Sequence, residues 1–266
     1  MITFKDVAPL LIRRSRNKGN PFCITALTNS AILMQADSGD YYTADMWSLE
    51  YKIDNGAWTE WTNASTTAKT TVSLPAGSKM YIRRMGEGRN PSITYGYYTS
   101  VSANTFTVVD RFRFRGSTGT WDLSGDMTTL LETNGNVQDL PDRAFASTFS
   151  GNPTCVIHAH ELVLPATVCS DRCYWSLFYN CTSLTTAPAL PATTLAQACY
   201  QSMFTGCSRL NWIEVRFTNW YGGASATNLW VSGVQTTSGT FRCKSALPDT
   251  RGHSGIPNNW TIEYID

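Results

Sequence analysis

Large apolar residues alternate with polar residues along one segment in the first half of the chain. From Trp47 to Ile53 every second residue is apolar, and a period of two places these residues on one face of a β-strand. Asn55-Gly56 follows, and an Asn-Gly pair favours the positive φ angles of a two-residue hairpin turn. Residues 57–61 are therefore predicted to return as the partner strand.

Other short segments of the first half also have the composition of strands. They are rich in β-branched and aromatic residues and are separated by turns such as Pro75-Ala76-Gly77. The predicted strands are residues 31–36, 70–74, 79–83 and 92–99. Short antiparallel strands with turns at regular spacing predict an Ig-like β-sandwich, which we assign to residues 23–110.

The second half contains a 26-residue sequence unit that occurs twice. Leu164-Pro165-Ala166-Thr167 recurs as Leu190-Pro191-Ala192-Thr193. The same offset relates Cys173, Tyr174, Phe178, Cys181 and Leu184 to Cys199, Tyr200, Phe204, Cys207 and Leu210. A fixed period of this length predicts a solenoid, in which each repeat buries its apolar face only against its neighbours.

An imperfect third copy of the unit lies upstream. Its landmarks Leu140, Phe145, Phe149, Gly151 and Cys155 align with Leu164, Tyr174, Phe178, Asn180 and Leu184. Each unit is predicted to contain a short helix or turn, a tight turn at Asn180 or Gly206, and a short strand near Leu184 or Leu210. Residues 111–131 and 240–264 are predicted to protect the two ends of the solenoid.

The repeat resembles a known family. Cys199 to Leu210, Thr186 to Ala196 and the closing stretch from Gly239 to Asp266 are similar to BspA-type leucine-rich repeats. Such arrays are common in surface proteins of Bacteroidales and in proteins of bacteriophages and prophages that infect them. The resemblance covers about residues 125–266, and it implies an adhesion or virion-surface role without catalytic residues.

Composition narrows the classes of partner. Charged residues make up only 15% of the chain and the formal net charge is +1, which gives no support for binding nucleic acid or an anionic membrane. No stretch approaches the ~20 apolar residues that insertion through a membrane needs. The start at Met1 lacks the apolar core of a secretory signal, so we expect assembly in the host cytoplasm.

The first 22 residues combine a short apolar stretch with a cluster of positive charge. The basic residues Arg13, Arg14, Arg16 and Lys18 follow the segment 7–12. This composition predicts a docking arm or linker that orders on a partner, either another virion protein or a copy of this chain. The alternative is a disordered tail.

Candidate chemistry is sparse. The chain has no G-x-S-x-G, phosphate-binding or H-E-x-x-H motif, so we expect no enzyme and no cofactor. His158 and His160 share a strand face as metal ligands can, but no fourth ligand is apparent, and we predict no metal site. Seven of the eight cysteines lie in the repeat half, where they are predicted to be buried, reduced thiols rather than disulfides.

Aromatic residues give the best candidates for a binding surface. Trp220 and Tyr221 lie in a segment rich in Gly, Ser and Ala, and Trp230 follows it. Exposed aromatic rings stack on sugars or anchor protein partners. We therefore predict Trp220, Tyr221 and Trp230 as a surface aromatic group, with core packing as the alternative and Trp220 with Tyr221 as the exposed pair.

The sequence as a whole predicts a mainly β protein, with an Ig-like β-sandwich at residues 23–110 and a short BspA-like leucine-rich-repeat solenoid at residues 111–266. The expected function is that of a non-enzymatic bacteriophage virion protein, as a head fibre, decoration or tail-associated protein, with a binding surface toward a host protein or glycan. One alternative is an adhesin on the bacterial cell surface. A carbohydrate-active enzyme is the third class, and the scarcity of acidic residues argues against it.

Overall fold

The structure of the protein is a computed structural model that describes residues 20–37, 48–62, 69–84, 111–131, 140, 142–234 and 237–265. Within these ranges the chain is mainly β, with three sheets and a short 3₁₀ helix at Met127–Leu130. The strands that precede this helix are β1 Phe22–Ala26, β2 Ser30–Asp37, β3 Ser48–Ile53, β4 Thr59–Thr62, β5 Lys69–Leu74, β6 Lys79–Arg84, β7 Arg111–Thr118 and β8 Trp121–Asp126. Those that follow are β9 Glu161–Val163, β10 Trp212–Glu214, β11 Thr240–Cys243 and β12 Thr261–Tyr264.

The largest sheet has six strands in the order β4-β3-β6-β1-β8-β9. Along each strand the side chains alternate between the two faces of the sheet. In β1, Phe22, Ile24 and Ala26 are therefore buried in the core, while Cys23 and Thr25 point to the second face. This second face is called the open face below. One row crosses it from strand to strand through Lys52, Tyr81, Cys23, Ser124 and Glu161.

A three-stranded sheet, in the order β5-β2-β7, packs against the core face of the first. Ile32 and Met34 of β2 and Phe114 of β7 are fully buried. The Phe114 ring lies 5.4 Å from the ring of Phe22 in β1, so the two sheets share one core. The strands predicted at 31–36, 70–74 and 79–83 are confirmed as β2, β5 and β6. The strand predicted at 92–99 lies outside the described residues.

The hairpin of β3 and β4 is confirmed, but the prediction of its two-residue turn is wrong. The register pairs Tyr51 with Thr59, which leaves a longer loop between the strands. Asp54 has the positive φ angle, 50°, in place of Asn55-Gly56. Strand β6 fixes this conformation, because the Asp54 N–H donates to the Lys79 carbonyl at 2.8 Å and Asp54 Oδ1 accepts from the Lys79 N–H at 2.9 Å.

The repeat half is built around four stacked segments of ten residues, which we call turn ribbons. They are residues 142–151, 171–180, 197–206 and 224–233. Along each of the first three ribbons every second N–H donates to a carbonyl of the next ribbon, as Tyr174 N–H does to Cys199 O at 3.0 Å. The other N–H groups at the centre of the ribbon donate three residues back, as in Leu177 N–H to Tyr174 O. The ribbons are therefore turns held in register by their neighbours, not the short helices that the sequence also allowed.

The apolar side of the ribbons forms two columns of stacked rings, because the backbone conformation repeats every four residues. One column contains Phe145, Tyr174 and Tyr200, with centroids 5.9 and 5.7 Å apart. The other contains Phe149, Phe178 and Phe204, with centroids 5.4 and 5.8 Å apart. Both columns end on Trp230 of the fourth ribbon.

The imperfect third copy aligns as predicted at its rings but not at its last landmark. Phe145 stacks on Tyr174 and Phe149 on Phe178. However, the β-bridge of His158 with Thr186 places Val156, not Cys155, beside Leu184. The reason is that the first unit has one residue more between its ring and this strand, seven positions from Phe149 to Val156 against six from Phe178 to Leu184, a shift that landmark matching cannot resolve.

Residues 111–126 belong to both halves of the structure. Strand β7 pairs with β2, and β8 pairs with β1 on one side and with β9 on the other. The sequence had assigned these residues to the solenoid, at its front. They do cover the first unit, but they are also strands of the two sheets of the first half, so no boundary in the strand pairing falls at residue 111.

The strands predicted at the back of the repeat half are confirmed as β11 and β12. Strands β10, β11 and β12 form a parallel sheet, in which Ile213 is opposite Phe241 and Phe241 opposite Ile262. The nearly buried Glu214 carboxylate accepts from Arg216 at 2.6 Å and from Arg242 at 2.7 Å. The charge of Glu214 is therefore paired on both oxygens.

All eight cysteines are buried and none is in a disulfide. Cys181 Sγ donates to the Phe149 carbonyl at 3.2 Å, and Cys207 Sγ donates to the Phe178 carbonyl at 3.1 Å. Each thiol therefore satisfies a carbonyl of the preceding ribbon, and the prediction of small buried thiols at these positions is confirmed.

Candidate functional site

The residues predicted to bind partners lie in different environments. The basic residues Arg13, Arg14, Arg16 and Lys18 of the predicted arm lie outside the described residues. Phe22, which was included in the arm, is the first residue of β1 and is fully buried. Of the aromatic group, Tyr221 is 83% exposed, whereas Trp220 is 5% and Trp230 0% exposed.

The prediction of exposure is therefore wrong for Trp220 and Trp230. Both rings belong to a cluster of aromatic residues that closes the end of the two ring columns, with Trp220 and Trp230 centroids 5.9 Å apart. Their indole N–H groups are satisfied inside the protein, by Pro248 O and Gly255 O at 2.8 Å each. A four-ribbon stack needs an apolar end cover, and these two tryptophans provide it.

A cavity of about 270 Å³ lies directly over this cover. Trp220 lies at its base and the exposed Tyr221 at its edge. The remaining lining comes from two segments, and its residues are Gly223, Ser225, Ala226, Thr227, Asn228, Thr250, Arg251, Ser254 and Gly255. The cavity therefore combines an aromatic edge with small, polar walls.

The two segments that line the cavity are tied together by hydrogen bonds. Thr227 Oγ1 donates to Ser254 O at 2.8 Å, and the Leu229 N–H donates to Ser254 Oγ at 2.9 Å. Trp230 Nε1 adds a bond to Gly255 O at 2.8 Å. Because these bonds join the fourth ribbon to the loop at 250–255, the walls of the cavity are held at a fixed spacing.

Three neutral side chains that line the cavity keep their hydrogen-bonding groups available. Among the described residues, no partner is found for the side chains of Ser225, Asn228 and Thr250. The one charged residue of the lining, Arg251, is already engaged, because it pairs with Asp249 and donates to Trp260 O at 2.8 Å. The cavity therefore presents neutral donors and acceptors rather than free charge.

This arrangement suits the binding of a neutral, polar ligand. Hydroxyl and amide groups beside an exposed aromatic ring can hydrogen-bond the hydroxyl groups of a sugar and pack against its apolar face. The lining contains no histidine, cysteine or carboxylate. In the described part of the chain, no group of three or more His, Cys, Asp or Glu residues is arranged to hold a metal ion.

The two histidines considered as metal ligands lie elsewhere, at the junction of the halves. His158 Nδ1 is 2.8 Å from Asp122 Oδ1, and the same carboxylate oxygen accepts from the His158 N–H at 3.1 Å. His160 contacts Thr186 and, at 3.9 Å, Glu161. The two imidazole rings lie 6.1 Å apart, and each has its own local partners.

Sequence reasoning missed the polar walls of the cavity because it placed Trp220 and Tyr221 in a loop rich in Gly, Ser and Ala and identified no further repeat after Leu210. Residues 224–233 form the fourth ribbon, and a signal was present: Gly233 follows Gly206 by 27 residues, much as Gly206 follows Asn180 by 26. The loop at 250–255 carries no such signal, since only its hydrogen bonds to the ribbon bring it to the cavity.

No described helix has the length and apolar character required to cross a lipid bilayer. Comparison of the chain with protein-family models, curated proteins and solved structures finds no match in any of the three.

Proposed function

We propose that this protein is a non-enzymatic surface component of a bacteriophage virion, a head fibre, decoration or tail-associated protein, and that the cavity beside Tyr221 binds a neutral glycan of the host surface. We also propose that the two packed sheets are an Ig-like sandwich and that the ribbons form a short leucine-rich-repeat solenoid of the BspA type. The adhesin alternative shares the same cavity and differs in where the protein is displayed.

The solenoid assignment is supported by the spacing of the ribbons. Their starts are 29, 26 and 27 residues apart, and equivalent rings and thiols stack in register from one ribbon to the next. Short repeats that bury their apolar side only against neighbouring repeats are the definition of a solenoid. The residue pattern of the sequence repeat then favours the BspA class over other classes of repeat.

The glycan assignment rests on one observation, the exposed Tyr221 ring beside three neutral side chains without a partner in the described chain. Covering the apolar face of a ring that is 83% exposed removes that face from water, which is favourable, and the apolar face of a sugar can provide such a cover. Because Arg251 is neutralised by Asp249, a charged ligand gains little here.

A glycan microarray of bacterial surface polysaccharides tests this proposal. We expect the full chain to bind at least one neutral glycan and Tyr221→Ala to weaken that affinity about tenfold, which is about 1.4 kcal/mol. Tyr179→Ala is the matched control, because Tyr179 is also exposed but lies outside the cavity, and it should bind normally. Equal binding by Tyr221→Ala and the unchanged protein would contradict the assignment.

The position in a particle is tested separately, through the predicted docking arm. Removing residues 1–19 spares β1 and also Asn20, whose carbonyl accepts from the Asp126 N–H at 2.8 Å. We expect the truncated protein to keep its thermal midpoint within about 2–4 °C but to lose attachment to its particle. Attachment of the full chain should weaken as salt is added, because screening reduces the contribution of the basic residues. Normal attachment after truncation would remove the anchoring role from the arm.

A further inference from the structure

We propose that the protein has a second binding site, a groove on the open face of the six-stranded sheet that holds a short zwitterionic peptide. The groove has a volume of about 460 Å³ and is separate from the cavity beside Tyr221. It crosses β6, β1, β8 and β9, and its lining includes Lys79 and Tyr81 on one side and Glu161 and Val163 on the other.

The floor of the groove is set by the register of the central strands. Cys23 of β1 lies between Tyr81 and Ser124, and Ser124 lies beside Glu161. Cys23 and Ser124 have small side chains, and the lining residues of β6 and β9 on either side have larger ones. The floor is therefore recessed between β6 and β9. Burial raises the pKa of the Cys23 thiol, so Cys23 is uncharged at neutral pH. The buried Asp126 carboxylate also lines the groove, and its Oδ1 already accepts from the N–H and the hydroxyl of Thr128.

The two sides of the groove carry opposite charge. The Lys79 ammonium forms no ion pair within the described part of the chain, and Lys52 stands behind it with its Nζ 5.3 Å from the Tyr81 ring. On the far side, the exposed Glu161 carboxylate has one ion-pair contact among the described residues, with His160 at 3.9 Å. A ligand with a carboxylate at one end and an ammonium at the other is complementary to this arrangement.

The width of the groove fixes the length of such a ligand. Strands β6 and β9 are three strand spacings apart, which is about 14 Å. An extended peptide advances about 3.4 Å per residue, so a tetrapeptide with free termini spans this width. Its carboxylate would reach Lys79 while its amino group reached Glu161, and Tyr81, Ser124 and the Asn20 side chain are within the lining to meet its peptide groups.

Peptide is favoured over saccharide because the sugar cavity and this groove differ in character. The cavity beside Tyr221 offers neutral groups, whereas here the available groups at the two ends are fully charged. An acidic saccharide would satisfy Lys79 but would face the carboxylate of Glu161, and like charges at close range repel.

In the test, the full chain is titrated with tetra-alanine that has free termini, and binding is monitored by NMR at low salt. We expect saturable binding that weakens with added salt, and at least tenfold weaker binding when the peptide is both acetylated and amidated. Lys79→Glu and Glu161→Lys should each weaken binding at least tenfold. The double variant should recover most of the affinity, because the peptide can then bind in the reverse direction.

Arg209→Glu is the control for charge alone, since Arg209 is exposed and lies outside the groove. It should leave binding unchanged. If a charge reversal disturbed the spectrum of the folded protein, Lys79→Gln and Glu161→Gln would replace it, with the same loss expected. The proposal is overturned if the blocked peptide binds as well as the zwitterion, if the double variant recovers nothing, or if an acidic disaccharide binds and the peptide does not. None of these outcomes depends on Tyr221, so the two sites are tested independently.

Discussion

At the scale of single residues, the turn ribbons depend on a left-handed backbone at every fourth position. The second ribbon has φ angles of 54°, 53° and 58° at Arg172, Ser176 and Asn180, and the third ribbon repeats this at Ala198, Ser202 and Gly206. Each such residue other than glycine costs about 1–2 kcal/mol. The hydrogen bonds between ribbons offset this cost, since each ribbon donates five N–H groups to the next.

Gly206 should be less tolerant of a side chain than Gly77, although both have a positive φ. A Cβ at position 206 would overlap Asn180 Oδ1, so Gly206→Ala adds a steric conflict to the backbone cost. We expect a loss of about 2 kcal/mol in chemical denaturation. Gly77→Ala isolates the backbone cost, because φ is 85° but nothing lies within 4 Å, and it should lose about 1 kcal/mol. Equal losses for the two variants would contradict the close approach of the ribbons.

The buried thiols should make the protein sensitive to alkali. Burial raises the pKa of Cys181 to about 12, whereas a thiol in the unfolded chain ionises at about 8.5. The raised pKa means that stability is complete below pH 8.5 and is lost as the pH rises from there toward 12. Between pH 7 and pH 10 the free energy of unfolding should fall by about 2 kcal/mol from this residue.

Cys181→Ala provides the comparison for the pH series. The variant should be less stable at pH 7, because it leaves a small void and removes one of the two bonds to the Phe149 carbonyl, which keeps the bond from Asn152 Nδ2 at 2.7 Å. However, its stability should decline less steeply toward pH 10 than that of the unchanged protein. Identical pH slopes, measured by denaturation in urea, would show that Cys181 does not titrate as its burial requires.

At the scale of elements, the ring columns hold one ribbon to the next. Phe178 and Phe204 are stacked with only 7° between their planes, and both are fully buried. Each ring contacts a ring above and a ring below it, so the loss of one ring opens a gap in a continuous column. Stacked pairs of this kind contribute about 0.5–1.5 kcal/mol beyond the area they bury.

Truncation within a column should therefore be costly. Phe204→Ala and Phe178→Ala are each expected to lose about 3–5 kcal/mol of unfolding free energy. Tyr179→Ala, next to Phe178 in sequence but 38% exposed, should lose less than about 1 kcal/mol. Chemical denaturation of the three variants separates these values, and a neutral Phe204→Ala would rule out the register of the ribbons.

At the scale of the whole molecule, one core runs through both halves. Phe149 at the end of a ring column lies 5.7 Å from Phe22 in β1 and 6.0 Å from Phe114 in β7. Strand β8 forms backbone hydrogen bonds with both halves. On the side of the repeats, the Trp121 N–H donates to Cys155 O at 2.8 Å. The sheets and the ribbons therefore support one another.

A shared core predicts that the halves unfold together. Scanning calorimetry should show one transition, with a calorimetric enthalpy equal to the van't Hoff enthalpy. Phe149→Ala removes the ring at the junction and should lower the midpoint of that single transition. Two resolved transitions, one unaffected by Phe149→Ala, would mean that the halves are independent domains.

The sequence by itself determined the local and periodic features of this protein. Alternation predicted β3, because side chains on a pleated strand must alternate between core and solvent. Strand-like composition between turns predicted β2, β5 and β6. The 26-residue period predicted that each repeat buries its apolar face against its neighbours and that the repeat cysteines are buried, because units stacked in register place like residues in like surroundings. The stacking of Tyr174 on Tyr200 and the burial of the cysteines agree with this.

Only the tertiary structure decided how these units end and where they leave room for a ligand. The residues around Trp220 and Trp230 have the composition of an exposed loop. Both rings are nevertheless buried, because they pack over the open end of the ring columns. The walls of both proposed sites join residues distant in sequence, such as Asn228 with Thr250 and Lys79 with Glu161. No local sequence pattern predicts that these residues line the same site. The register of β8 and the hydrogen bonds from the fourth ribbon to the 250–255 loop place them there.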